Sequence, residues 1–175
     1  MTSPNKLCYH WTAGAWTPCI QDLKSYHYVI DKDGNVYKGK FKPEDNNLCK
    51  PGTYAMHCGG GNTGCIGIAV CGMYGFDIKN KKSTYMITRK SVEALCKLGA
   101  ELSLKYKIEI APARVFTHWE FGQLHPKTSS AGKVDIGFLP YQPNWNSQRV
   151  ADELRKTTNW YKQKLLKGEI KFFAL

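Results

Sequence analysis

Three residues of this chain are of types that together make a metal site: His10, His118 and Asp135. Two imidazoles and a carboxylate are a common ligand set for catalytic zinc, and three protein donors leave the fourth tetrahedral position open for water. Water there has its pKa lowered to about 7 and is a nucleophile at neutral pH. The three positions lie far apart, so spacing alone does not join them. Glu120, two residues after His118, is the carboxylate nearest in sequence to a ligand. It is expected to shuttle protons or to fix the His118 tautomer by a hydrogen bond.

The elements that would position these residues alternate in type. Leu7 to His10 reads as a short buried strand, and Tyr26 to Asp31 alternates and is rich in β-formers. Asp33-Gly34 marks a hairpin turn, with Val36 to Gly39 as the return strand. Residues 40–64 form a long loop rich in Gly, Asn and Pro, of the kind that often carries function. Cys65 to Gly72 is apolar throughout and reads as a central strand. Thr88 caps a helix with Val92, Leu95, Cys96, Gly99, Leu102 and Tyr106 on one face. Arg114 to His118 is the next strand. A last helix starts near Ser147, with Val150, Leu154, Trp160, Tyr161 and Leu165 as its apolar positions. His27 faces away from Tyr26 along its strand and is expected in the core. The pattern predicts a single α/β domain over residues 1–175, with a central mixed sheet flanked by helices. Its core spans about residues 6–140 and its C-terminal helix about 147–167.

Four local signatures carry a family resemblance. They are the strand ending in His10-Trp11-Thr12, the stretch from Ser25 to Tyr37 around Asp33-Gly34, His57 followed by Asn62-Thr63-Gly64-Cys65-Ile66-Gly67-Ile68, and Thr117-His118-Trp119-Glu120 followed by Lys133-Val134-Asp135-Ile136. In this order they resemble the type-2 zinc N-acetylmuramoyl-L-alanine amidases. That superfamily includes phage lysozyme-amidases and the peptidoglycan recognition proteins. The stretch from His118 to Asp135 looks most like endolysins of phages and prophages of Gram-negative hosts.

The resemblance implies zinc at the floor of a groove, held by His10, His118 and Asp135. It implies catalytic roles for Lys133 and Tyr26 and places His57, Asn62 and Trp11 along the substrate. The reaction it implies is hydrolysis of the amide between N-acetylmuramic acid and L-alanine of the stem peptide. The interval from His10 to Tyr26 is short for the family and the one from His118 to Asp135 is long, so the groove rims differ. Gly59-Gly60-Gly61 lacks the Lys-Ser/Thr ending of a phosphate loop, and the family places this loop in the groove wall.

Composition narrows the setting. With 42% hydrophobic and 13% aromatic residues the chain is globular. No apolar run is long enough for a membrane span, and no basic-then-apolar leader is visible, so accumulation in the host cytoplasm and release onto periplasmic peptidoglycan are expected. Lys and Arg number 25 against 14 acidic residues, a net charge of +11 that favours a polyanion. An anionic bacterial envelope fits better than nucleic acid, because no basic helix or aromatic-basic repeat is present. Seven cysteines without a leader argue against a disulfide framework, although Cys58 and Cys65 flank the glycine loop and could pair in an oxidising compartment. The expected protein is a monomeric endolysin with no separate wall-binding domain. A cytoplasmic muropeptide-recycling amidase and a non-catalytic peptidoglycan-binding module are the alternatives.

Overall fold

A computed structural model describes residues 3–175. Five strands form one sheet in the order β3-β2-β4-β1-β5. The first strand, β1 (Lys6–Trp11), lies between β4 (Cys65–Val70) and β5 (Val115–Thr117) and runs parallel to both. On the far side of β4, β2 (Tyr28–Ile30) is also parallel. The edge strand β3 (Val36–Lys38) pairs antiparallel with β2 through the Asp33-Gly34 turn. Gly34 adopts φ +84°, and the Asp31 carboxylate accepts from the backbone N–H of Asp33 and Asn35, both at 2.9 Å.

Strand alternation divides the molecule in two. Leu7, Tyr9 and Trp11 of β1, with Ile66, Ile68 and Val70 of β4, face a core closed by two long helices. These are α2 (Arg89–Lys105) and α4 (Ser147–Leu166). Thr88 caps α2 by accepting from Ser91 N–H at 3.0 Å, and Asn146 caps α4 by accepting from Arg149 N–H at 2.8 Å. The intervening residues, Cys8 and His10, belong to the opposite face. There Cys8 joins Cys58, Cys65, Phe116 and Phe121 in a second, smaller cluster.

Two short α-helices were not expected. Residues 20–25 form α1 (Ile20–Ser25), which fills the interval between His10 and Tyr26. The strand expected to reach His118 stops at Thr117, and α3 (His118–Leu124) begins at once. In α4, Val150, Leu154 and Leu165 are buried, whereas Trp160 is 52% exposed. At 100° per residue, position 160 falls off the stripe that faces α2. The Cys58 and Cys65 thiols are both buried and both free, so the glycine loop carries no disulfide.

Tyr9 ties the layers together. The Thr158 hydroxyl donates to Leu154 O at 2.7 Å, so Tyr9 O–H donates to Thr158 Oγ1 at 2.9 Å. Gly99 of α2 lies directly over this phenol, and a Cβ there would overlap the Tyr9 hydroxyl. Gly99→Ala is therefore expected to cost about 2 kcal/mol or more in urea denaturation, by overpacking and by displacing the buried hydrogen bond. An unchanged midpoint would contradict this packing.

Candidate metal centre

The fold brings His10, His118 and Asp135 together. His10 comes from the end of β1, His118 from the first residue of α3, and Asp135 from the loop between α3 and α4. Their ligand atoms all lie within 4.8 Å of one another, and all three residues are buried. His10 Nδ1 is 2.8 Å from Asp135 Oδ2, and His118 Nδ1 is 3.3 Å from the same carboxylate. The Asp135 backbone is held as well, because its carbonyl accepts from Trp119 N–H at 2.6 Å.

The other ring nitrogens decide what this cluster needs. His57 Nε2 lies 3.2 Å from Cys65 O, and a carbonyl can only accept. A neutral His57 must donate there, which leaves its Nδ1 as an acceptor for His10 Nε2–H at 3.1 Å. His10 then has a bare lone pair on Nδ1. The same logic runs through Ser130, whose hydroxyl donates to Gly59 O at 2.8 Å. Its oxygen therefore accepts from His118 Nε2–H at 2.9 Å, and His118 Nδ1 is bare too. Two lone pairs and a carboxylate thus converge with no proton of their own between them. Buried acceptors facing one another demand a cation, either a metal ion or a proton.

Without metal, a proton takes that role on His118. Burial alone would lower its pKa, but hydrogen bonds and charge from Asp135 and Cys58 outweigh it and raise the pKa to about 9. Burial would raise Asp135, yet the hydrogen bonds from His10 and His118 hold its carboxyl well below the usual carboxylate range. Burial first, then the charges of His10 and His27, push His57 well below its ordinary value, in keeping with a neutral relay. A second trio, Cys8, His10 and His57, is equally compact. It is the poorer metal site, because burial holds the Cys8 thiol well above its ordinary pKa and so keeps it from the thiolate form.

The remaining expected site residues separate into two groups. Tyr26 stands at the C-terminus of α1 with its ring 5.1 Å from that of His10. Burial and the Asp135 charge raise its pKa, so it stays a neutral hydroxyl donor. Lys133 is exposed on the loop two residues before Asp135, anchored by its N–H to Ser130 O at 3.2 Å.

Four residues have other work than expected. Glu120 does not touch His118. Its carboxylate accepts from Thr117 N–H at 3.0 Å in a capping box and from both terminal nitrogens of Arg155 at 2.8 and 2.9 Å. His57 holds His10 rather than lining a groove. Asn62 spends its side-chain oxygen on the N–H groups of His57 and Cys58, at 3.0 and 2.9 Å. Trp11, 5% exposed, lies on the helical face of the sheet away from His10. His27 is in the core as expected, bonded to Asn46 Oδ1 at 2.9 Å and to Gly67 N–H.

Ser130 is the functional residue that sequence reasoning missed. The glycine loop passes so close to its segment that a Cβ on Gly59 would overlap Ser129. Comparison with known proteins fits this geometry. A family model described as N-acetylmuramoyl-L-alanine amidase matches residues 1–137. The chain belongs to this amidase family. No curated protein matches it in sequence. Among solved structures, the amidase resembles AmiD of E. coli in complex with anhydro-N-acetylmuramic acid-L-Ala-D-gamma-Glu-L-Lys, with a TM-score of 0.53 and 17% identity. The match covers 87% of this chain and 56% of AmiD, so this amidase spans little more than half of that relative's length. It also resembles the endolysin of a Thermus scotoductus bacteriophage, with a TM-score of 0.52, 16% identity and coverage of 90% and 86%. A peptidoglycan recognition protein ectodomain complex bound to tracheal cytotoxin matches at a TM-score of 0.50 and 17% identity, covering 84% and 86%.

Two outcomes follow from the relay. His57→Ala should lower zinc affinity by about 10–100-fold in competition with a chromophoric chelator. Gly67→Ala should mimic it, because a Cβ there would strike the His57 ring; unchanged affinity in both would refute the relay. The metal-free amidase should also respond to pH. The His118 pKa is raised by folding, so its stabilisation is complete below 6.5 and is lost as pH rises through about 9. Across that window the melting temperature of the apo-protein should fall while zinc affinity rises, since the competing proton leaves.

Proposed function

We propose that the amidase is zinc-dependent and hydrolyses the amide between the lactyl group of N-acetylmuramic acid and L-alanine, as an endolysin of a phage or prophage. The observation that carries this reading is the convergence of His10 Nδ1, His118 Nδ1 and the Asp135 carboxylate, with both tautomers anchored to backbone carbonyls. Nitrogen and carboxylate donors of this kind suit zinc. When bound, zinc would polarise the scissile carbonyl and lower the pKa of a water.

The chain's own residues supply the rest. Asp135 and the two imidazoles orient the centre. Tyr26 keeps its proton and offers it as a hydrogen bond to the tetrahedral oxygen. The Lys133 ammonium supplies a positive charge for the developing oxyanion. Glu120 is engaged by Arg155 and by Thr117 N–H, so it belongs to the helix cap and not to the reacting groups.

The surface supports an envelope substrate, since a charge of +11 draws the protein to an anionic wall. Among the described residues no helix is long and apolar enough to cross a membrane. A recycling role is the second reading, favoured by the soluble muropeptide bound to AmiD. In either role a single chain supplies the three donors, Tyr26 and Lys133, which supports a monomer as the working unit.

The test compares wild type, Asp135→Ala and Lys133→Ala on purified sacculi and on soluble muropeptides, scoring new L-alanine N-termini and bound zinc. Asp135→Ala should lose zinc and activity together. Lys133→Ala should keep zinc and lose about 10²–10³-fold in kcat, the usual effect of removing one oxyanion partner. Stoichiometric zinc without product would refute the amidase assignment, and cleavage confined to soluble muropeptides would replace the endolysin with the recycling enzyme.

A further inference from the structure

Beside the metal centre lies an open cavity of about 220 Å³ that the reaction described above does not use. Trp119 and Val134 line it, and these residues are the chain neighbours of His118 and Asp135. Consecutive Cα atoms are about 3.8 Å apart, so one thickness of backbone separates cavity from centre. The opposite wall comes from residues 74–82, an excursion between β4 and α2 that adds nothing to the sheet.

This excursion is held in place. Phe76 stacks on Phe138 with ring centroids 5.4 Å apart at 24°, and meets Trp11 edge-on at 5.3 Å. Lys81 Nζ donates to Pro143 O at 2.8 Å. The Asp77 carboxylate accepts from Lys79 N–H and Asn80 N–H at 2.8 and 3.2 Å, closing the turn. An ordered wall then presents Ile78, 61% exposed, to the cavity. Trp145 completes the apolar lining, and the exposed Asn146 stands at its polar rim.

We propose that this cavity is a glycan subsite that takes the N-acetylhexosamine next to the reacting muramic acid in the same strand, an inference that rests on the amidase reading. Indole and phenyl faces suit the C–H face of a sugar ring and its acetamido methyl group. An amide and an ammonium at the rim suit the hydroxyls. The stem peptide fits less well, because the lining is mostly apolar and Lys81 is its only charged group, too little to meet several carboxylates. The subsite makes the enzyme read glycan length as well as the amide bond.

The probe is tri-N-acetylchitotriose, titrated against tryptophan fluorescence of the intact protein, with and without zinc. Binding should perturb the indoles in both states, and Ile78→Asp should weaken it by about tenfold. Ile78 touches no proposed catalytic group and is exposed, and Ile78→Ala serves as the milder control. In kinetics on glycan oligomers Ile78→Asp should raise KM by about tenfold with kcat unchanged, while KM for a single muramyl-peptide stays at the wild-type value. No chitotriose binding by the wild type would overturn the subsite, as would an equal rise in KM on both substrates. An indole response to free stem peptide but not to chitotriose would also overturn it and assign the cavity to peptide. Chitotriose binding by a protein that cleaves neither substrate would instead sink the amidase reading and leave the sugar site standing.

Discussion

Everything at the functional end of this molecule answers to one electrostatic constraint: three electron-pair donors point at the same place. The carbonyls of Cys65 and Gly59 accept and cannot donate, so each fixes a chain of hydrogen-bond directions ending at an imidazole. His57 and Ser130 transmit those directions to His10 and His118. The two Nδ1 atoms are left facing the Asp135 carboxylate without a proton, and only a cation relieves the cluster. The surrounding sheet holds the three donors in this arrangement, which is the preorganisation that the proposed metal site requires.

The sheet can hold such a cluster because its two faces do different jobs. Along β1, Leu7, Tyr9 and Trp11 pack under α2 and α4, while Cys8 and His10 face the site. Strand periodicity of two makes this division, and a slip of one residue would put both ligand and core residues on the wrong side. Close approach on the site face needs missing side chains. Gly67 makes room for the His57 ring, so a glycine inside a central strand is a feature of the centre and not a flaw in the strand.

How much of this could be read from the sequence depended on range. Local patterns were legible: the Asp33-Gly34 hairpin, the Thr88 cap and the apolar run of β4 appear where turn, cap and burial chemistry place them. The meeting of His10, His118 and Asp135 was legible only through the ordered motifs around them, since nothing in their spacing joins them. What failed was the assignment of partners. Trp11 was placed along the substrate by the resemblance, but adjacent strand residues point to opposite faces. Glu120 was read from its proximity to His118, although Thr117-x-x-Glu120 is a helix-capping signature in plain view. Ser130 carried no local signal at all, because its role exists only where two loops touch.

The Glu120 misreading exposes a dependence on the far end of the chain. The family match ends at residue 137, yet Arg155 of α4 reaches back to Glu120 and to Val115 O at 3.1 Å. Glu120 caps the helix whose first residue is His118, and it is buried. Unpaired, that carboxylate would be strongly destabilising, by about 3–5 kcal/mol. The guanidinium satisfies it and joins β5, α3 and α4 at the point where the ligand emerges. A helix outside the matched segment therefore belongs physically to the candidate metal centre, since the direction of His118 depends on a capping carboxylate whose charge Arg155 balances.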